Sequence, residues 1–448
     1  MDKKPFERPL IKKLNAGMPS KFGMPTHVTP ITHIDGLPVD ELINKYGSPL
    51  FVISEKTMRE TIADAKRAFS TRYPKVQFAW SYKTNYLDAV CRIFHQEGSW
   101  AEVVSRFEYD KALQNGVKGS QIIFNGPDKK DDDLLTAVQN DSLIHIDHFD
   151  EMYSIIQIAK TQDKKPKVAI RVNMDTGVYP MWDRFGFNYE NGDAWDAINR
   201  IMISEHIDLV GLHTHIGTYM FTSSAYKVAI SKLADLASNL ERKYNINLKY
   251  LDIGGGFASK NTLKGAYMPG TDTVPSFDEY AEAITSGLVS SGLNPDKLPV
   301  LILETGRALI DDAGYLLGTV IANKRLSDGR RTTIIDAGVN LLFTSFWYEH
   351  DIRPAKQTSE NLEESAIHGP LCMNIDVLRE AILFPLLKKG DHFVIKRVGA
   401  YNMTQWMQFI TLRPNVVLID RDNKVHVIKN AEKLEDILST EKVPDHLK

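Results

Sequence analysis

The stretch "VQFAWSYKTN" (residues 76–85) sets the terms on which the chain is read. Val76, Phe78, Ala79 and Trp80 form an apolar run without the polar alternation of a half-exposed strand, which is the texture of a strand buried on both faces. Lys83 follows at its end. Similar short runs recur: "PLFVIS", "AEVVS", "IIFNG", "LIHID", "KVAIRVN", "DLVGLHTHIG", "LKYLDIGGGF" and "PVLILETG". Helical patterns such as "EKTMRETIADAKRAFSTRY" and "SAYKVAISKLADLASNLERKYN" lie between them. Buried strands alternating with helices read as βαβ units, and roughly eight of them favour a closed (β/α)8 TIM barrel over an open sheet. After residue 310 the texture changes, and "GYLLGTVIANKRL", "RRTTIIDAG", "DHFVIKRVGAY", "QFITLRPNVVLID" and "KVHVIK" read as antiparallel strands with little helix between them. The expectation is an α/β protein in three parts. An arm and strand over 1–49 pack with the β-domain, a barrel spans 50–310, and a β-rich domain spans 311–448. The segment 259–276 reads as a long polar loop.

The chain has 448 residues, 43% of them hydrophobic and 25% charged, with a net charge of −3. That balance gives no reason to expect nucleic acid or an anionic membrane as partner. Six basic residues crowd the first 25 positions without a following apolar segment, which reads as a solvated arm and not a secretory signal. No apolar run approaches the ~20 residues of a membrane span. Two cysteines, Cys91 and Cys372, make neither a disulfide framework nor a zinc pattern, so a cytoplasmic location is expected.

Barrel enzymes build their sites at the carboxyl ends of the strands, and unusual residues cluster at those ends here. A lysine at a strand end ordinarily snorkels to water. Held against an apolar wall it would have its charged form disfavoured, and a neutral amine can form a Schiff base. Gly254, Gly255 and Gly256 either make a tight turn or let backbone N–H groups approach an anion. Their spacing is not that of a dinucleotide fold. His213 and His215 share one face of a strand and suit a structural role, a metal site as in barrel hydrolases, or stacking on a cofactor ring. Glu304, with Gly306 and Arg307, is either a surface ion pair or a carboxylate for a protonated ring nitrogen beside phosphate-binding groups. A reactive lysine, a stacking histidine, a glycine cradle and such a carboxylate together describe a pyridoxal 5′-phosphate site.

In order, "SYKTN", "EVVSRFE", "RFGF", "HTHIGT", "DIGGGF", "ETGR", "DAGVN", "GPLC" and "GAY" resemble the diaminopimelate/ornithine decarboxylase branch of the pyridoxal-phosphate enzymes with the alanine-racemase-like fold, over about residues 35–430. The resemblance implies an amino-acid decarboxylase. It makes Lys83 the lysine that joins the cofactor and His215 the stacking residue. Thr218, Gly254, Gly255, Gly256, Gly306, Arg307 and Tyr401 then meet the phosphate, and Glu304 meets the pyridine nitrogen. Cys372 becomes the residue that protonates the product carbon, with Asp376 its acidic companion. It also implies a homodimer in which Cys372 reaches the partner's barrel. Related racemases carry an arginine at the position of Glu304, so this carboxylate speaks for decarboxylation over racemisation.

The substrate readers depart from that branch. Diaminopimelate decarboxylases usually carry Arg-Pro where Thr344 and Ser345 stand, and a glutamate where Met373 stands. Arg184, Thr344, Tyr348, Met373 and Asp376 are therefore the candidate substrate residues. The expected substrate is an amino acid other than standard meso-diaminopimelate, either a D-configured basic one or a larger conjugated one. A diaminopimelate decarboxylase, a racemase on this fold and a metal-dependent hydrolase are the alternatives.

Overall fold

The structure, a computed structural model, describes residues 28–358 and 361–448. The basic arm expected over the first 25 positions lies outside the described residues. Eight parallel strands close on themselves in the order Val76–Ser81, Trp100–Val103, Ile122–Phe124, Leu143–Ile146, Lys167–Asn173, Asp208–His213, Tyr250–Asp252 and Val300–Leu303, the last pairing with the first. The interior is filled by Ala79, Ile123, Leu143, Ala169, Val210, Tyr250 and Ile302, packed as a small cluster of their own. Gly211 has no side chain because the Tyr250 ring crosses its position. The outer faces of the strands pack on the helices in the main core, which is why the strands read as unbroken apolar runs.

The run Leu50–Ser54 corrects the expected barrel start. It pairs antiparallel with Gly314–Arg325 and parallel with Val416–Ile419, and so belongs to the second sheet. Its residues are all buried, so its texture matches that of a barrel strand. The second sheet also contains Arg331–Ile335, Glu363–His368, Val377–Phe384, His392–Lys396 and Val425–Lys429. Most pairings are antiparallel, but Arg331–Ile335 runs parallel to Glu363–His368. The helix Val39–Tyr46 packs Val39, Leu42 and Ile43 against this sheet. The polar segment 259–276 is less irregular than expected: Thr262–Leu263 pairs with Tyr348–Glu349 and Gly270–Thr273 is a helical turn. It ties the barrel to the β-domain. Among the described residues no helix is long and apolar enough to cross a membrane.

Candidate active site

Side chains alternate along a strand, so the residue two beyond each interior position also points inward. Counting forward from the apolar layer, and from Trp100 beside it, gives Ser81, Glu102, Asn125, His145, Arg171, Asp252 and Glu304, and a register shift between Leu209 and Gly211 makes His213 the eighth. All are buried, and every strand contributes one. A polar layer inside a barrel must pair within itself. Lys83 Nζ sits 2.5 and 2.7 Å from the two oxygens of Glu102, and Ser81 Oγ donates to the same carboxylate at 2.5 Å. Asn125 Nδ2 reaches Glu304 at 2.6 Å and Glu102 at 3.0 Å. His213 Nε2 lies 3.5 Å from Glu304.

Above this layer opens a cavity of about 410 Å³, lined among others by Lys83, Glu102, Asn125, Arg171, His213, His215, Thr218, Gly255, Gly256, Glu304, Gly306, Arg307 and Tyr401. Lys83 stands on the helical turn Tyr82–Thr84 that ends the first barrel strand. The second domain clamps that turn: Tyr401 N donates to Thr84 O at 2.9 Å and Asn85 Nδ2 to Gly399 O at 3.0 Å. Tyr401 holds a left-handed backbone, φ 58°, a conformation uncommon outside glycine. Gly254 and Gly256 are left-handed too, and a Cβ on Gly255 would lie 2.5 Å from the Glu304 carbonyl oxygen. The glycines therefore let backbone pass where a side chain cannot. The N–H of Gly255 donates to His215 Nδ1 at 3.1 Å, which leaves the ring's hydrogen on Nε2. Arg307 donates to the Tyr348 hydroxyl, and its guanidinium lies 4.5 Å from the Tyr401 ring centre.

The electrostatics correct one expectation. Burial works against the charge of Lys83, but Glu102, with Tyr401 and Glu304 behind it, outweighs burial and raises the amine above the usual lysine range. Burial, reinforced by nearby Arg171, lowers His213 and His215 well below the usual range, so both rings are neutral. Burial and then Glu304 push Asp252 up.

Of the cofactor and catalytic candidates, Lys83, His215, Thr218, Gly255, Gly256, Glu304, Gly306, Arg307 and Tyr401 meet at this cavity. Gly254 lies just beneath it, packed on Thr214 and His215. Cys372 is exposed and off the cavity of its own chain. The five substrate candidates are not among the lining residues. Arg184 is exposed beside Phe185, and Arg171 enters the cavity alongside Arg307. Thr344 is fully buried, donating to Asn402 Oδ1 at 2.8 Å and meeting His350 Nε2 at 3.0 Å. Tyr348 is buried against Arg307, and Met373 is half-buried. Asp376 accepts from Val339 N and Leu371 N, each at 2.8 Å, and so braces two loops. Trp182, Phe185, Trp347 and Gln405 line the cavity in their stead.

His145, His213 and Glu304 bring ligating atoms within 4.8 Å of one another, the one such group found among the described residues. The two rings lie 4.6 Å apart and inclined by 32°, so lone pairs in the ring planes run beside each other more than toward a common point. That geometry suits a packed histidine pair better than chelation.

A closed parallel barrel carrying a lysine, a buried carboxylate and a glycine cradle around one cavity defines a pyridoxal-phosphate enzyme of the barrel type. The family model for the pyridoxal-binding domain of pyridoxal-dependent decarboxylases matches residues 59–311, and the chain belongs to that family. It is 29% identical over 431 residues to the diaminopimelate decarboxylase of Methanothermobacter thermautotrophicus, covering 92% of this chain and 96% of that one. Its identity to the Bacillus subtilis diaminopimelate decarboxylase is 28% over 420 residues, with 90% and 94% covered. The crystal structure of the M. jannaschii diaminopimelate decarboxylase in complex with L-lysine superposes with a TM-score of 0.85 at 28% identity, covering 93% of this chain and 97% of that one. The chain is a pyridoxal 5′-phosphate-dependent decarboxylase with an alanine-racemase-like fold.

Proposed function

We propose that this decarboxylase acts on an amino acid larger than meso-diaminopimelate or differing from it at the distal end, with a conjugated amino acid the best fit. The observation that carries the reading is Thr344. It occupies the position where diaminopimelate decarboxylases usually hold an arginine for the distal carboxylate, and its hydroxyl is buried and engaged with Asn402 and His350. The open part of the cavity offers Trp182, Phe185 and Trp347 and the amide of Gln405. Aromatic walls without a free cation do not offset the desolvation of a distal carboxylate. Arg171 gives the opposing reading its footing, because it is a cation in the cavity, yet it is 3.6 Å from Asp147 and stacked on Phe185.

The cofactor fits the residues present. The glycine cradle of Gly254, Gly255 and Gly256, where a Cβ would meet backbone, receives the phosphate with Thr218, Gly306, Arg307 and Tyr401. Lys83 would be the amine that holds the aldehyde, and Glu304 the carboxylate that would face the ring nitrogen. When bound, the cofactor supplies an electron sink for the carbon that loses CO2. His215, fixed by its bond from Gly255 N, would stack on the cofactor ring. Lys83 and Glu102 hold a proton between them, and the aromatic walls would exclude water from the bound substrate.

Cys372 reaches a site only through a second copy of the chain, and we assign it that role in a homodimer. Mixing inactive Lys83→Ala and Cys372→Ala subunits then restores activity, whereas subunit exchange without recovery places both roles in one chain. The substrate reading is tested by CO2 release from a panel of amino acids. Meso-diaminopimelate and L-ornithine are expected at least ~100-fold below the true substrate in kcat/KM. A kcat/KM on meso-diaminopimelate of about 10⁴ M⁻¹s⁻¹ or more, an ordinary enzyme level, overturns it.

A further inference from the structure

We propose that Asn125 is a positioning residue that holds two site carboxylates, Glu102 and Glu304, side by side by donating one amide hydrogen to each. Asn125 follows the barrel strand Ile122–Phe124, and the inward-facing Ile123 two residues earlier sets its direction. It is only 4% exposed. An amide nitrogen carries two hydrogens, and here there are two acceptors, Glu304 Oε1 at 2.6 Å and Glu102 Oε1 at 3.0 Å. The reverse orientation of the amide would set its oxygen against two carboxylates, so the local charge fixes which end faces them. The amide oxygen has no hydrogen-bond partner, which shows that the side chain is oriented by its donor end alone.

The two carboxylates have different duties. Glu102 holds Lys83, and on the proposed function Glu304 would meet the ring nitrogen of the cofactor. Like charges in a buried site disfavour double ionisation, and one of the pair then takes up a proton. A protonated Glu102 releases its grip on the Lys83 ammonium, and a protonated Glu304 cannot keep a proton on the ring nitrogen. The cations facing the pair, Lys83 and Arg171, relieve this conflict only in part. Lys83 is committed to Glu102, Arg171 to Asp147, His145 and His213 are neutral, and Asp252 and Glu108 are further carboxyl groups pushed upward by burial. The amide of Asn125 is the neutral donor common to both carboxylates.

Asn125→Leu and Asn125→Asp separate this role from a structural one. Both are purified with cofactor bound and checked for fold by circular dichroism. The absorbance spectrum, the cofactor retained on dialysis and turnover are then followed from pH 5.5 to 8.5. Asn125→Leu is expected to lose about tenfold or more in kcat at neutral pH, on the scale of one lost donor at a charged centre. Its spectral transition should move to higher pH than in the wild type, because a carboxylate without its donor protonates more readily. In Asn125→Asp, the protonated side chain still donates one hydrogen and the ionised one adds a third charge. Cofactor retention and turnover in that variant should therefore recover as pH falls, through an ionisation that the wild type and Asn125→Leu lack. The Asp variant carries the test alone if the Leu variant does not fold. An Asn125→Asp protein without recovery at low pH overturns the proposal, as does an Asn125→Leu protein with the wild-type spectral transition.

Discussion

Replacing Glu102 by Gln removes the charge that holds Lys83 as an ammonium. The two Glu102 oxygens stand 2.5 and 2.7 Å from Nζ. At that separation a pair of unit charges is worth about 6 kcal/mol at an effective dielectric constant of 20. The lysine side chain is 38% exposed to the cavity, so water screens it, and retaining about a third of the interaction leaves ~2 kcal/mol. At 1.36 kcal/mol per unit, that is a fall of roughly 1.5 in the lysine pKa. Only the neutral amine attacks the cofactor aldehyde. The assay is the rate at which visible absorbance grows when cofactor is added to apoprotein, measured against pH. The midpoint for Glu102→Gln is expected 1–2 units below that of the wild type, on this rough electrostatic scale. The stability effect has a defined sign. The raised lysine pKa makes the pair's contribution fully present below the unfolded value of about 10.4, and the contribution disappears as pH rises through the folded value. The variant therefore melts lower than the wild type at pH 7, and the two converge in strong alkali. A midpoint that stays in place or rises refutes the assignment of Glu102 as the group that charges Lys83.

Lys129→Met leaves Glu151 buried without its partner, now 2.9 Å away, and is expected to cost about 3–5 kcal/mol in urea unfolding. Burial already raises Glu151, so the loss should shrink as pH falls and the carboxyl protonates; a cost under about 1 kcal/mol at pH 7 contradicts this account. Gly255→Ala puts a Cβ 2.5 Å from the Glu304 carbonyl oxygen and is expected to weaken cofactor binding by about tenfold or more in equilibrium dialysis. Unchanged binding would mean that the cradle yields where the packing says it cannot.

The barrel and most of the residues that meet at the cavity were legible because their signals are periodic and local. Lys83, His215, the three glycines and Glu304 all stand at the ends of unalternating strands, where the fold makes sites. Leu50–Ser54 misled because a strand central to a mixed sheet is buried on both faces like a barrel strand, and only its partners differ. Glu363–His368 and Val377–Phe384 were missed because their half-exposed residues dilute the apolar pattern. The polar layer could have been found by counting two residues on from each interior position, which yields Glu102, Asn125 and Arg171. Arg171, inside the apolar "KVAIRVN", was the stronger signal for a cavity arginine than Arg184, since a charge in a buried strand needs a partner. The burial of Thr344, Tyr348 and Asp376 depends on contacts with Asn402, Arg307 and Val339, all distant in sequence, and no local pattern carries it.

The central claim is that Lys83 is the amine that carries the cofactor. Reduction of the yellow protein with borohydride, followed by peptide mapping, reads this directly. The account predicts a pyridoxyl group on Lys83 alone and a Lys83→Ala protein without the visible band. A pyridoxyl group on any other lysine, or an unchanged band in Lys83→Ala, would contradict it.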